Sequence, residues 1–252
     1  MFISGCADGL ILYPSTEKIH AIGNERVALP FDGGVLEVWR RSSSSGTEPE
    51  IYVLTFCGNA ERAEHAVGRV QRWAARPVEM WAMNYPGYGG STGPARLSAI
   101  GPAALEAYDA LKKRAGGKPV FVNGMSLGTA AALYVGAKRP CAGLVLANPP
   151  PLQDLILRQY GWWNLWMLAG PVAMGVPSEL NSVKNGPHCR APAIFISAEH
   201  DEIVPAKYHR MVIDAYGGKK RVIVLRGAGH NDPPDDEDEE RIRAAIGGMV
   251  SG

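Results

Sequence analysis

Three side chains from the midpoint of the sequence onward have the types and surroundings that nucleophilic acyl chemistry needs. Ser126 sits in Gly124-Met125-Ser126-Leu127-Gly128, between the apolar run Val120-Phe121-Val122 and the small residues Thr129-Ala130-Ala131. That order reads as strand, sharp turn, helix. The serine stands at the apex of a strained turn, and the flanking glycines leave room for the backbone to double back. Thirty glycines make the pentapeptide alone a weak signal, so the flanking strand and helix carry the reading. A serine hydroxyl is a poor nucleophile near neutral pH unless a base takes its proton and a carboxylate orients that base. Both are supplied downstream. Ile194-Phe195-Ile196-Ser197 runs into a loop carrying Glu199, Asp201 and Glu202, and Val222-Ile223-Val224-Leu225 leads through a Gly-rich turn to His230.

Of the six histidines, only His230 follows a strand in such a turn. His20 and His65 fall early, on a predicted strand and helix. His188 lies in an insertion, His200 neighbours the acids on the wrong loop for a base, and His209 falls on a predicted helix. Acyl transfer also needs two donors aimed at the developing oxyanion. The Leu127 N–H at the helix start is the first. The loop Phe56-Cys57-Gly58-Asn59-Ala60 offers the second, assigned to the Asn59 N–H with Ala60 as second choice; Asn59 also suits a helix N-cap, which is compatible with that role.

The elements that must position these groups alternate along the chain. Lys18–Leu29 and Gly34–Arg41 flank Phe31-Asp32-Gly33-Gly34, a turn signal for an antiparallel hairpin. Ile51–Phe56 is a continuous apolar strand of the kind buried on both faces. There follow a helix over Ala60–Ala75, strand Val78–Asn84, helix Pro94–Arg114, strand Pro119–Asn123, helix Leu127–Lys138, strands Gly143–Ala147 and Ala193–Ser197, helix Ala206–Tyr216, strand Arg221–Leu225 and a last helix. Repeated β-α-β units with right-handed crossovers build a mostly parallel sheet covered on both faces. One insertion, about 151–191, breaks the alternation after Pro149-Pro150-Pro151 and carries Trp162, Trp163 and Trp166. It lies at a strand C-terminus, where open α/β sheets bind ligands, so it is expected to cap the site. Packing of its own small helices explains the aromatic cluster equally well.

At 252 residues and 46% hydrophobic the chain suits a single α/β domain, 1–252. A net charge of +1 without a basic cluster argues against a nucleic-acid partner. The acidic run Asp235–Glu240 suits the first turns of the last helix. Cys6, Cys57, Cys141 and Cys189 show neither metal spacing nor a disulfide framework, so no metal is expected. No apolar run is long enough to span a bilayer, and the chain as it stands is expected to be cytoplasmic. Met1-Phe2-Ile3-Ser4-Gly5-Cys6-Ala7 is similar to the tail of a bacterial lipoprotein signal. If the true start lies upstream, the alternative is a membrane-anchored lipoprotein with lipid on Cys6.

Phe56-Cys57-Gly58-Asn59-Ala60, Asn84-Tyr85-Pro86-Gly87-Tyr88-Gly89-Gly90-Ser91, the Ser126 pentapeptide, the Asp201 loop and Gly229-His230-Asn231-Asp232 together resemble the α/β-hydrolase superfamily, nearest to small abhydrolase-domain serine hydrolases similar to protein depalmitoylases. The resemblance covers Ile51 to Val250. It implies hydrolysis of esters or thioesters, no cofactor, and a short cap after the sixth strand. Asp-x-x-Val-Pro matches the family's acid loop and selects Asp201 over Glu199. Two positions depart: Cys57 stands where His is usual, and Asn84 where Asp is common. Neither removes a backbone donor or a member of the triad, and Cys57, with nothing basic adjacent, is expected to be a buried inert thiol.

The combined expectation is a serine hydrolase with Ser126 as nucleophile, His230 as base and Asp201 as its orienter. Its substrate is a small or lipid-like ester or thioester with an apolar acyl group. Tyr88, Trp162, Trp163 and Trp166 are the expected substrate contacts. An amidase or peptidase with the same triad is the enzymatic alternative, and a non-catalytic binding protein the alternative from another class.

Overall fold

The computed structural model describes residues 4–160 and 169–252. An N-terminal helix α1 (Ser4–Ile11) precedes strands β1 (Glu25–Phe31), β2 (Gly34–Ser42) and β3 (Ile51–Phe56). Helix α2 (Ala63–Ala66), β4 (Val78–Met83), α3 (Leu97–Ala115), β5 (Val120–Met125), α4 (Leu127–Lys138) and β6 (Gly143–Ala147) follow. After β6 come short helical segments, among them α5 (Leu152–Leu155), α6 (Ala169–Met174) and α7 (Ser182–Asn185), and then β7 (Ala193–Ala198), α8 (Ala206–Ala215), β8 (Lys220–Leu225) and α9 (Asp236–Ser251).

The eight strands form one sheet in the order β1-β2-β4-β3-β5-β6-β7-β8. The β1–β2 hairpin joins antiparallel to β4, and β4, β3, β5, β6, β7 and β8 run parallel. Every residue of β3, β4 and β7 is buried, as apolar runs covered on both faces must be. One helical layer is built by α3 on α4, α4 on α7 and α7 on α8; α9 packs on a 3₁₀ segment, Val67–Trp73, in a second.

Two expected elements are shorter than the sequence suggested. The first strand starts only at Glu25, because a turn closed by the Asn24 N–H on the Ala21 carbonyl, with Gly23 at φ 78°, interrupts the segment from Lys18. The helix predicted over Ala60–Ala75 is a single α turn that tightens into the 3₁₀ segment around Gly68. Gly and β-branched Val67 and Val70 are weak helix formers, and burial of Val67, Val70 and Trp73 takes precedence over regular helix there. The acidic run opens α9 as expected, with Asp235 capping the Asp238 N–H at 2.8 Å.

Candidate active site

The turn at Ser126 is built by its glycines. Ser126 has φ 49° and ψ −120°, a combination that L side chains rarely adopt and that marks stored strain. A Cβ on Gly124 would lie 2.6 Å from the Gly128 carbonyl oxygen, and one on Gly128 2.3 Å from that of Phe56. Only glycine lets β5, α4 and the end of β3 approach this closely. The Ser126 N–H donates to the Ala147 carbonyl at 2.8 Å, which anchors the turn to β6.

Ser126 is half-buried, and its Oγ lies 3.0 Å from His230 Nε2. His230 Nδ1 donates to Asp201 Oδ2 at 2.6 Å. Asp201 Oδ1 accepts the backbone N–H groups of Ile203 at 3.0 Å and Val204 at 2.6 Å. Burial would raise the Asp201 carboxyl, yet the nearby His209 imidazole, together with hydrogen bonds from His230 and the Val204 amide, outweighs it and holds the group well below the usual carboxylate range. It is therefore ionised at any pH where an imidazole could act as base. Glu199, the second choice for this position, instead accepts the Gly227 N–H at 3.0 Å.

The loop after β3 is fixed from several sides. The Tyr85 hydroxyl donates to the Cys57 carbonyl at 2.7 Å, and Gly58 N–H donates to Glu61 Oε2 at 3.1 Å. Arg69 holds both oxygens of Glu61. Asn59 bolts the loop to the N-terminal arm: its Nδ2 donates to the Ile11 carbonyl, and its Oδ1 accepts from the Tyr13 N–H at 3.1 Å and the Tyr88 hydroxyl at 3.0 Å. Among the described residues, neither the Asn59 N–H nor the Leu127 N–H donates to another protein group. Both residues border the cleft at Ser126. The Cys57 thiol is buried, and burial pushes its pKa well up.

The cleft, about 670 Å³, is walled by Ile11, Tyr13, Leu152, Leu155, Ile156, Ile203 and Val204 around Ser126 and His230. Tyr88, expected as a substrate contact, does not border it. Tyr88 is 1% exposed, stacked edge-on against Tyr85 and hydrogen-bonded behind Asn59, because burial of the Tyr-Pro-Gly-Tyr turn leaves its ring facing the protein. Its hydroxyl is pushed up to about 12 by that burial. Trp162, Trp163 and Trp166 lie outside the described residues.

Sequence reasoning missed two supporting side chains. Asn148, at φ 50° after β6, donates from Nδ2 to the His230 carbonyl at 3.0 Å and accepts the Ala198 N–H at 2.9 Å, tying the His230 loop to the end of β7. Asparagine is the non-glycine residue that best tolerates that backbone; its place just before three prolines was the available signal. His209, set aside as a helical residue, is fully buried beside Asp201. Among the described residues no group of three or more His, Cys, Asp or Glu side chains is arranged to hold a metal, and no helix is long and apolar enough to cross a membrane.

Comparison with known proteins bears on the family and the fold. The family described as serine aminopeptidase, S33, matches residues 47–172, half of the chain. An uncharacterized protein of Mycobacterium tuberculosis is 29% identical over 228 residues, covering 87% of this chain and 76% of its own length. The lysophosphatidylserine lipase ABHD12 of Rattus norvegicus is 24% identical over 185 residues, covering 67% of this chain, which spans 46% of that lipase. Among solved structures, Est1E of Butyrivibrio proteoclasticus superposes with a TM-score of 0.74 at 13% identity, over 90% of this chain and 99% of its own. A monoacylglycerol lipase of Paleococcus ferrophilus gives 0.63 at 20%, over 85% and 98%. The likeness to depalmitoylases extends no further than the superfamily, and the protein belongs to the S33 serine aminopeptidase family of α/β-hydrolases as a serine hydrolase.

Proposed function

We propose that the protein hydrolyses carboxylic esters or thioesters with an apolar acyl group through an acyl-enzyme on Ser126. The observation that carries this reading is the unbroken line from Ser126 Oγ through His230 to Asp201, at 3.0 and 2.6 Å, opening into an apolar cleft. Ser126 Oγ attacks the carbonyl carbon while His230 Nε2 takes its proton. The N–H groups of Leu127 and Asn59 receive the oxyanion, and His230 returns the proton to the departing alcohol or thiol. Water, deprotonated by His230, then releases the acid and frees Ser126. Asp201 stabilises the imidazolium in both halves.

Names of relatives support ester chemistry: Est1E, a monoacylglycerol lipase and lysophosphatidylserine lipases all fall among them. The family's description favours a second reading, an aminopeptidase. Recognition of a free amino group wants an available carboxylate, and Glu61, the acidic side chain bordering the cleft, is already held by Arg69 and the Gly58 N–H. Esters are therefore preferred. Ser126→Ala should abolish p-nitrophenyl ester hydrolysis and fluorophosphonate labelling, and wild type should turn over an ester faster than an anilide of equal acyl length. Full labelling of the variant would end the assignment, and a faster anilide would favour the peptidase.

A further inference from the structure

One buried imidazole takes no part in the chemistry just described. His209, on the first turns of α8, is fully buried against β7. Its Nδ1 lies 2.8 Å from Ser197 Oγ, and its Nε2 lies 3.3 Å from Asp201 Oδ2, the oxygen that also receives His230. An ionised carboxylate has no proton to offer, so the ring nitrogen facing it must carry one. Ser197 then donates its hydroxyl hydrogen to Nδ1, and this bond selects the tautomer. At 3.3 Å the Nε2 contact is longer and more bent than a full hydrogen bond, and Nε2 has no other partner among the described residues. Its pull on Oδ2 is mainly electrostatic, in a site where the Asp201 side chain is wholly removed from water.

We propose that His209 is a positioning residue: acting from the side of Asp201 away from solvent, with Ser197 setting its tautomer, it keeps Oδ2 aligned on the His230 Nδ1–H. The inference rests on the serine-hydrolase reading of Ser126, His230 and Asp201. The carboxylate's two oxygens are held differently. Oδ1 is pinned by two backbone amides of its own loop, which cannot turn without unfolding it. Oδ2 is held by side chains alone, and His230 must change its protonation in every cycle. A second donor that does not take the proton holds the acid still while the first one charges and discharges.

The test uses the full chain with His209→Leu, His209→Gln, Ser197→Ala and the Ser197→Ala/His209→Leu pair. His209→Leu should lower kcat on a p-nitrophenyl ester by on the order of 10- to 100-fold with KM nearly unchanged, because alignment and not binding is lost. His209→Gln, whose amide N–H reaches the place of Nε2, should recover most of it. Ser197→Ala should fall between, and should cost nothing more once His209 is Leu. A second measurement does not depend on turnover: the low-field proton of the His230–Asp201 hydrogen bond, seen by NMR, should shift or broaden in His209→Leu and return in His209→Gln. A wild-type kcat and an unmoved resonance in His209→Leu would overturn the proposal. So would equal losses in the Leu and Gln variants that track a fall in thermal stability, since His209 would then only fill space. If wild type neither turns over esters nor labels at Ser126, the hydrolase reading fails, and the resonance still decides for or against His209.

Discussion

Asp201 and Asn84 show how single side chains in this protein are defined by the charges around them. The Asp201 carboxyl is held below its unfolded value of about 3.9. Its contribution to stability is therefore complete above that pH and is lost as the pH falls below it. Asp201→Asn should lower kcat by on the order of 10³–10⁴, and the gap in thermal stability between it and wild type should narrow from pH 7 to pH 3. A gap that widens with acid would contradict the assigned hydrogen bonds. Asn84 was legible only as a departure from the Asp that the family prefers. Its Nδ2 donates to both Glu37 at 2.7 Å and Glu64 at 2.9 Å, and its Oδ1 accepts the Ala63 N–H at 2.9 Å, so a neutral amide braces the loop between two buried carboxylates. Asn84→Asp would bring a third negative charge and remove both donors. A loss of about 3 kcal/mol or more is expected in urea unfolding at pH 7, and a smaller loss at pH 4, where protonation relieves the repulsion.

Elements ending in chemistry were readable because chemistry constrains their sequence. The Ser126 turn needs glycines at two defined places, and the strands beneath it need unbroken apolar runs; both patterns are local. His209 and Asn148 were not readable, since nothing near them in sequence says which strand end they will face. Their partners, Asp201, Ser197, His230 and Ala198, are brought in by sheet order. Tyr88 failed for the same reason: its motif gave a turn near the site, but only packing decided which way the ring points. The loop after β3 depends on the Tyr85 hydroxyl holding the Cys57 carbonyl. Tyr85→Phe should leave that peptide free to rotate and reduce kcat by about 10-fold with little change in KM; equal kcat would mean that Glu61 and Asn59 suffice. The native Cys57 thiol should resist iodoacetamide until the protein is unfolded, as its burial and raised pKa require.

Taken whole, the molecule gathers its site at the C-terminal ends of β3, β5, β6, β7 and β8 and closes it with a segment from the other end of the chain. Residues of the arm after α1 are fastened far from their neighbours in sequence. Leu12 enters the core and Ser15 accepts from Gly89 N–H at 2.8 Å and from Arg62 at 3.0 Å, while within α1 itself Asp8 accepts the Leu97 N–H at 2.9 Å. Tyr13, 63% exposed, forms part of the cleft wall, so Tyr13→Ala should shift preference toward bulkier acyl groups in a graded ester series without lowering the melting temperature. An unchanged chain-length profile would remove the arm from the binding wall. Because Ile11 and Tyr13 line the cleft at Ser126 and Asn59, which also borders it, grips them with its side chain, a mechanical load on the N-terminal segment is passed to the cleft wall as well as to the core. An affinity tag is thus best fused after Gly252, and a bulky fusion at the other terminus should slow turnover even though it never touches the substrate.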